Sequence, residues 1–137
     1  MKKFLNAIAA VMTASVLMIM LVSCGGAAME YEKNTDGYYM ISQHEAMKIM
    51  KEKTGYIIVD VRTQSEYDSG HIKGAICIPN ETIGSGEIEL LPDKNATILV
   101  YCRSGRRSKE AAAKLAAGGY TNVYEFGGII TWSGDVE

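Results

Sequence analysis

Hydrophobic positions along this chain fall into two spacings that alternate from residue 38 onward. Tyr56-Ile57-Ile58-Val59-Asp60-Val61 and Thr97-Ile98-Leu99-Val100-Tyr101 are apolar almost without interruption, the pattern of strands buried on both faces. Residues 38–41, 75–78 (stopped by Pro79) and 123–126 predict three shorter strands. Between them the spacing turns helical. Ser42-Gln43-His44-Glu45 reads as a capping box opening a helix to about Lys53, with Ala46, Met47, Ile49 and Met50 inward and Gly55 past its end. A brief helix or turn is predicted over 65–69 with Ser65 as its cap, and a short helix over 81–91. Ser108 to Ala117 is Ala-rich and strongly helical, closed by Gly118-Gly119, and a last short helix is predicted around Ile129 to Trp132. Strands alternating with helices predict one α/β domain, in three layers, with a mainly parallel sheet of about five strands.

The first 23 residues follow another rule. Lys2 and Lys3 precede an apolar run from Phe4 to Val22 that holds only Asn6, Thr13 and Ser15 as polar residues. This is the layout of an export signal. Leu21-Val22-Ser23-Cys24, followed by Gly25-Gly26, resembles the lipobox of bacterial lipoproteins, which implies acylation of Cys24 after cleavage and a protein held on a membrane outside the cytoplasm. Residues 24–37, small, polar and without periodicity, read as a flexible linker to a domain spanning 38–137.

Charge narrows the partners. The chain carries a net charge of −2, and loss of Lys2 and Lys3 with the signal takes it to −4, with no basic tail. A mildly acidic domain lacks the basic surface that nucleic acid requires. Two widely separated histidines, His44 and His71, form no metal-ligand cluster, and no organic cofactor is expected.

Against that acidic background, Cys102-Arg103-Ser104-Gly105-Arg106-Arg107 stands out between the best strand and the best helix. In a parallel sheet, sites form beyond the carboxyl ends of strands, which is where Cys102 falls. The following helix turns its free N–H groups and positive dipole end toward the loop. Gly105 suits a tight turn, and the loop can aim its amides inward as an anion nest. A thiol in such a place ionises more readily. Asp60 ends a strand at the same edge, so Asp60 and Arg62 join Arg103, Ser104, Gly105, Arg106 and Arg107 as candidate binding residues. The competing structural role for Arg62 is an ion pair, for example with Glu66. Cys77, between Ile76 and Ile78, reads as a core thiol, although a pairing with Cys102 stays open.

The loop resembles the active-site loop of rhodaneses, the thiosulfate-type sulfurtransferases. The resemblance extends to Asp60-Val61-Arg62 with Glu66-Tyr67, to Gly70-His71-Ile72-Lys73-Gly74-Ala75 with Ile78-Pro79, and to Phe126-Gly127-Gly128-Ile129 with Trp132. It implies a rhodanese-like fold and a two-step cycle. Sulfur passes from a small anionic donor to Cys102 as a persulfide, then to cyanide, a thiol or a periplasmic thiol redox protein. Arg107 matches the position that closes the loop, and His71 is implied to be architectural. Phosphatase and arsenate reductase relatives resemble Cys-x5-Arg. Here Arg107 makes Cys-x4-Arg, and the next position is Ser108, so the ring of amides suits a single sulfur better than a tetrahedral oxyanion. A binding or sensing module without turnover is the alternative from another class.

Overall fold

The computed structural model describes residues 30–84 and 86–137. The expected signal, Cys24 and the linker as far as Met29 lie outside the described residues. Five strands form one sheet: β1 (Tyr39–Met40), β2 (Ile57–Asp60), β3 (Ile76–Cys77), β4 (Thr97–Cys102) and β5 (Asn122–Gly128), in the order β1-β5-β4-β2-β3, every pair parallel. The helices are α1 (Gln43–Glu52), α2 (Gln64–Asp68) and α3 (Arg106–Ala117). This is the expected α/β domain.

Strand β4 lies at the centre, and its alternation separates the two cores. Ile98, Val100 and Cys102 face Ala111, Ala112 and Leu115 of α3. Leu99 and Tyr101 face the other way, toward Ala46 and Ile49 of α1. All of these strand residues are essentially out of water, and each buried aliphatic side chain contributes roughly 1.5–3 kcal/mol. The Ser42 capping box forms as expected: the hydroxyl accepts from the Glu45 amide at 3.2 Å, and the carboxylate accepts from the Ser42 amide at 2.7 Å.

Four expectations need correction. Helix α2 is capped by Thr63, not Ser65, through a second capping box with Glu66. Among the described residues of 81–91 there is no helix beyond the 3₁₀ turn Asn80–Thr82. Gly84 and Gly86 weaken helix there, and the segment is fastened by its buried Ile83 and Leu91 instead. Helix α3 begins at Arg106, two residues earlier than its Ala-rich body suggested, because Gly105 at φ 110° starts it directly from the loop. Residues 30–37, expected to be linker, fold onto the domain. Asn34 accepts from the amides of Asp36 and Tyr38, Lys33 bridges to Tyr39, and the Tyr31 ring meets Tyr124 edge-on at 5.8 Å.

One irregularity shapes the carboxyl edge of the sheet. Val100 pairs with Glu125, but Cys102 pairs with Gly128, so β5 uses three residues where β4 uses two. This β-bulge bends the end of β5 over the loop that leaves β4.

Candidate active site

Cys102 is the last residue of β4, and its side chain faces α3. The loop Arg103–Ser104–Gly105 turns back over it. The Gly105 amide donates to Cys102 Sγ at 3.0 Å, and the thiol lies 3.5 Å from the Ser108 hydroxyl, to which it donates. Burial pushes the thiol up. Hydrogen bonding with the Ser108 hydroxyl and with the amides of Ser108, Gly105 and Ser104 outweighs that and holds it below the ordinary cysteine range. The nest expected of the loop is therefore formed, but it is closed: Cys102 is only 1% exposed. Within the loop Gly105 is buried, and Arg103 and Ser104 are exposed.

Two glycines make this closure sterically feasible in different ways. Gly105 takes a left-handed φ that other residues adopt only with strain. Gly128 is in ordinary extended backbone, but the Arg103 carbonyl lies where its side chain would be.

The three arginines separate. Arg103 is exposed, and its carbonyl accepts from the Ile130 amide at 3.3 Å. Arg106 reaches solvent and pairs with Glu110 one turn along α3 at 2.9 Å. Arg107 is partly buried and forks onto Glu66 of α2 at 2.7 and 2.9 Å. Glu66 raises the Arg107 guanidinium above its usual range, and Cys102 adds to the effect. Arg107 in turn pulls the Glu66 carboxyl down to about 2, against its burial and with help from Thr63. The ion pair anticipated between Arg62 and Glu66 is thus replaced by one between Arg107 and Glu66, which ties α2 to the base of α3.

Asp60 and Arg62 are not brought to Cys102. They pair with each other across Arg62 Nη2 and Asp60 Oδ2 at 2.6 Å, fully buried on the α1 side of the sheet. The Tyr101 hydroxyl donates to Asp60 at 2.6 Å and accepts from the Ile72 amide at 3.0 Å, and Arg62 donates to the Gly70 carbonyl at 2.7 Å. The cluster pins the turn before β3. Adjacent strand residues point to opposite faces, so Tyr101 and Cys102 serve different sides. His71 belongs to the same architecture, stacked on Tyr67 with ring centroids 3.7 Å apart. Cys77 is half-buried, and burial pushes its thiol up. Among the described residues both Cys77 and Cys102 are free thiols, and no three His, Cys, Asp or Glu side chains gather as a metal site.

Sequence reasoning missed Ser108 and Glu125. Ser108 was expected only as the start of the Ala-rich helix and as the residue at the Cys-x5 position, with no role at the sulfur. Glu125 is 3% exposed, faces the same side as Cys102, and accepts from the Ser108 hydroxyl at 2.6 Å and the Gly127 amide at 2.8 Å. The available signal was parity: Val123 and Glu125 alternate on one face of a buried strand.

A buried, amide-cradled cysteine at the carboxyl edge of a five-stranded parallel sheet defines a class of α/β domains built for cysteine nucleophiles. The chain matches the rhodanese-like domain over residues 42–135 and belongs to that family. It is similar to the thiosulfate sulfurtransferase PspE of Escherichia coli, 41% identical over 71 residues that cover 52% of this chain and 68% of PspE. It is also similar to the thiosulfate sulfurtransferase GlpE of Pseudomonas entomophila, 36% identical, covering 67% of this chain and 82% of GlpE. A solved structure described as a rhodanese with anions from E. coli superposes with a TM-score of 0.55 at 36% identity, over 60% of this chain and 96% of that one. Enzymatic sulfur transfer is the general activity that family and relatives assign.

Proposed function

We propose that Cys102 carries the transferred sulfur as a persulfide, taken from an anionic donor such as thiosulfate and delivered to cyanide or a thiol. The observation that carries this reading is the Gly105 amide at 3.0 Å from a thiol held below its ordinary range inside a ring of further donors. In the first half-reaction the Cys102 thiolate attacks the outer sulfur of thiosulfate. The S–S bond of the donor breaks, and sulfite leaves with the electron pair. In the second, the acceptor attacks the outer sulfur of the persulfide and the thiolate is restored. Charge is conserved in both steps, so amides that stabilise an anion at Sγ serve the start and the end of the cycle. Arg107, whose guanidinium charge Cys102 favours, orients the donor, and exposed Arg103 draws it in.

We also propose that the protein is held outside the cytoplasm by lipid on Cys24. Its support is the signal-like and lipobox-like sequence; labelled fatty acid incorporated equally by wild type and Cys24→Ser would refute it. The catalytic reading is tested by mass spectrometry after thiosulfate treatment. One added sulfur is expected on Cys102, absent in Cys102→Ser, with thiocyanate formed when cyanide follows. An unmodified Cys102 together with full thiocyanate production in Cys102→Ser would overturn it. Thiosulfate loading without turnover would favour the sulfur-presenting module over the enzyme.

A further inference from the structure

Helix α3 begins against its own dipole. Its first four residues include Arg106, Arg107 and Lys109 and no acid, although cations are disfavoured at the end where free N–H groups point. Two of the three charges are already answered. Arg106 pairs with Glu110 at 2.9 Å, and Arg107 forks onto Glu66 at 2.7 and 2.9 Å. Among the described residues, Lys109 Nζ makes no hydrogen bond and no ion pair.

That uncommitted ammonium lies beside the nucleophile. The Lys109 amide donates to the Gly105 carbonyl at 3.3 Å, one turn back along the chain. Helical side chains lean toward the N-terminus, so Lys109 reaches back over the cysteine loop. Its Nζ is 3.8 Å from where a Gly105 side chain would begin, and the Gly105 amide is 3.0 Å from Cys102 Sγ. Glu125 Oε1 lies 4.0 Å from the same point on Gly105. It accepts from the Ser108 hydroxyl and the Gly127 amide, bonds that suit an ionised carboxylate. Glu125 is sealed beneath the loop, whereas Lys109 is exposed above it. The carboxylate draws the flexible ammonium onto the loop, and the ammonium offsets the negative field that an arriving anion would otherwise meet.

We propose that Lys109 selects the sulfur donor by its charge, its ammonium binding the anionic oxygens at the donor's far end. The proposal rests on the sulfur-transfer reading for the identity of that anion. With thiosulfate, those oxygens carry negative charge before the S–S bond breaks and in the sulfite that leaves. Lys109 therefore binds donor and leaving group alike, so it governs donor capture and leaves the acceptor half-reaction untouched. Its free Nζ works beside Arg107, whose two Nη atoms are held by Glu66.

Iodoacetate and iodoacetamide test this without sulfur chemistry, being nearly one shape, the first an anion and the second neutral. Cys102 of the full chain in detergent is alkylated with each and followed by mass spectrometry. Lys109→Met is expected to lower the iodoacetate rate about threefold relative to the iodoacetamide rate, the scale of one exposed ion pair. Lys109→Arg is expected to restore the ratio. A change in Cys102 ionisation moves both reagents together and leaves the ratio alone. Lys51→Ala removes the same charge from an exposed position of α1 and is expected to match the wild type. In turnover each half-reaction has its own kcat/KM. For dianionic thiosulfate it is expected to fall about tenfold in Lys109→Met, since doubling the charge doubles the Coulomb energy. For 2-mercaptoethanol as acceptor it is expected to stay within about twofold. A wild-type alkylation ratio in Lys109→Met, or equal losses in both half-reactions, overturns the inference. Loss of the iodoacetate preference in a chain that never loads sulfur defeats sulfur transfer alone, and active enzyme with an unchanged ratio defeats the role of Lys109 alone.

Discussion

Replacing Gly128 by alanine isolates the geometry of the Cys102 loop from backbone strain. The residue sits at φ −134° and ψ 153°, which alanine adopts freely. Its side chain, however, would fall on the Arg103 carbonyl and 2.6 Å from the Ser104 Cα. Carbon atoms in contact prefer about 3.5–4.0 Å, so the loop must retreat by about 1 Å. That carries the Ser104 and Gly105 amides away from Cys102 Sγ. A displacement of this size at a reacting centre costs on the order of 100-fold in rate, and crowding a packed site costs about 1–3 kcal/mol of stability. The expected result is a folded protein whose urea midpoint drops modestly while thiocyanate production from thiosulfate and cyanide falls about 100-fold. Its Cys102 should also need higher pH for alkylation. A Gly128→Ala protein that retains wild-type turnover and reactivity would show that the contact between loop and β5 does not hold the amides on the sulfur.

Two further predictions concern the supports. Glu66 has a carboxyl lowered from 4.5 to about 2 by Arg107, so its pair contributes fully above the ordinary value and is lost as pH falls from about 4.5 to about 2. Allowing for partial solvent screening, Glu66→Gln should cost about 1–2 kcal/mol at neutral pH and flatten stability across that acid window; urea titrations at neutral and acid pH check it, and parallel curves for wild type and variant would refute it. Asp60→Ala leaves Arg62 buried and unpaired and should cost about 3–5 kcal/mol in urea unfolding, while Cys102 alkylation in the native protein stays within about twofold. A large change in Cys102 reactivity without a stability loss would instead place Asp60 in the site.

Continuous apolar runs exposed the central strands, because burial on both faces leaves no alternation to misread. Ser42 and Glu45 announced α1 because a capping box is local. The cysteine loop was legible for the same reason, since Cys102, Gly105 and Arg107 lie within one short segment. What escaped depends on contacts far apart in the chain. Glu66 meets Arg107 across 41 positions, and Glu125 meets Ser108 across 17, with no neighbouring residue to betray either pairing. Ser65 was the expected cap of α2, but the carboxylate that completes the box is Glu66, three residues after Thr63. Arg106 and Arg107 read as loop because charge obscures helix onset, whereas the left-handed Gly105 sets it.

The three-against-two pairing at the end of β5 makes residue count there as consequential as residue type. Glu125 must stop opposite Val100, and Gly128 must arrive opposite Cys102. Deleting Gly127 would slide Gly128 out from under the Arg103 carbonyl and put a larger side chain in its place; inserting a residue would lift the strand away. The segment works as a gauge block between β4 and its loop, and evolution or engineering can vary its surface only at constant length.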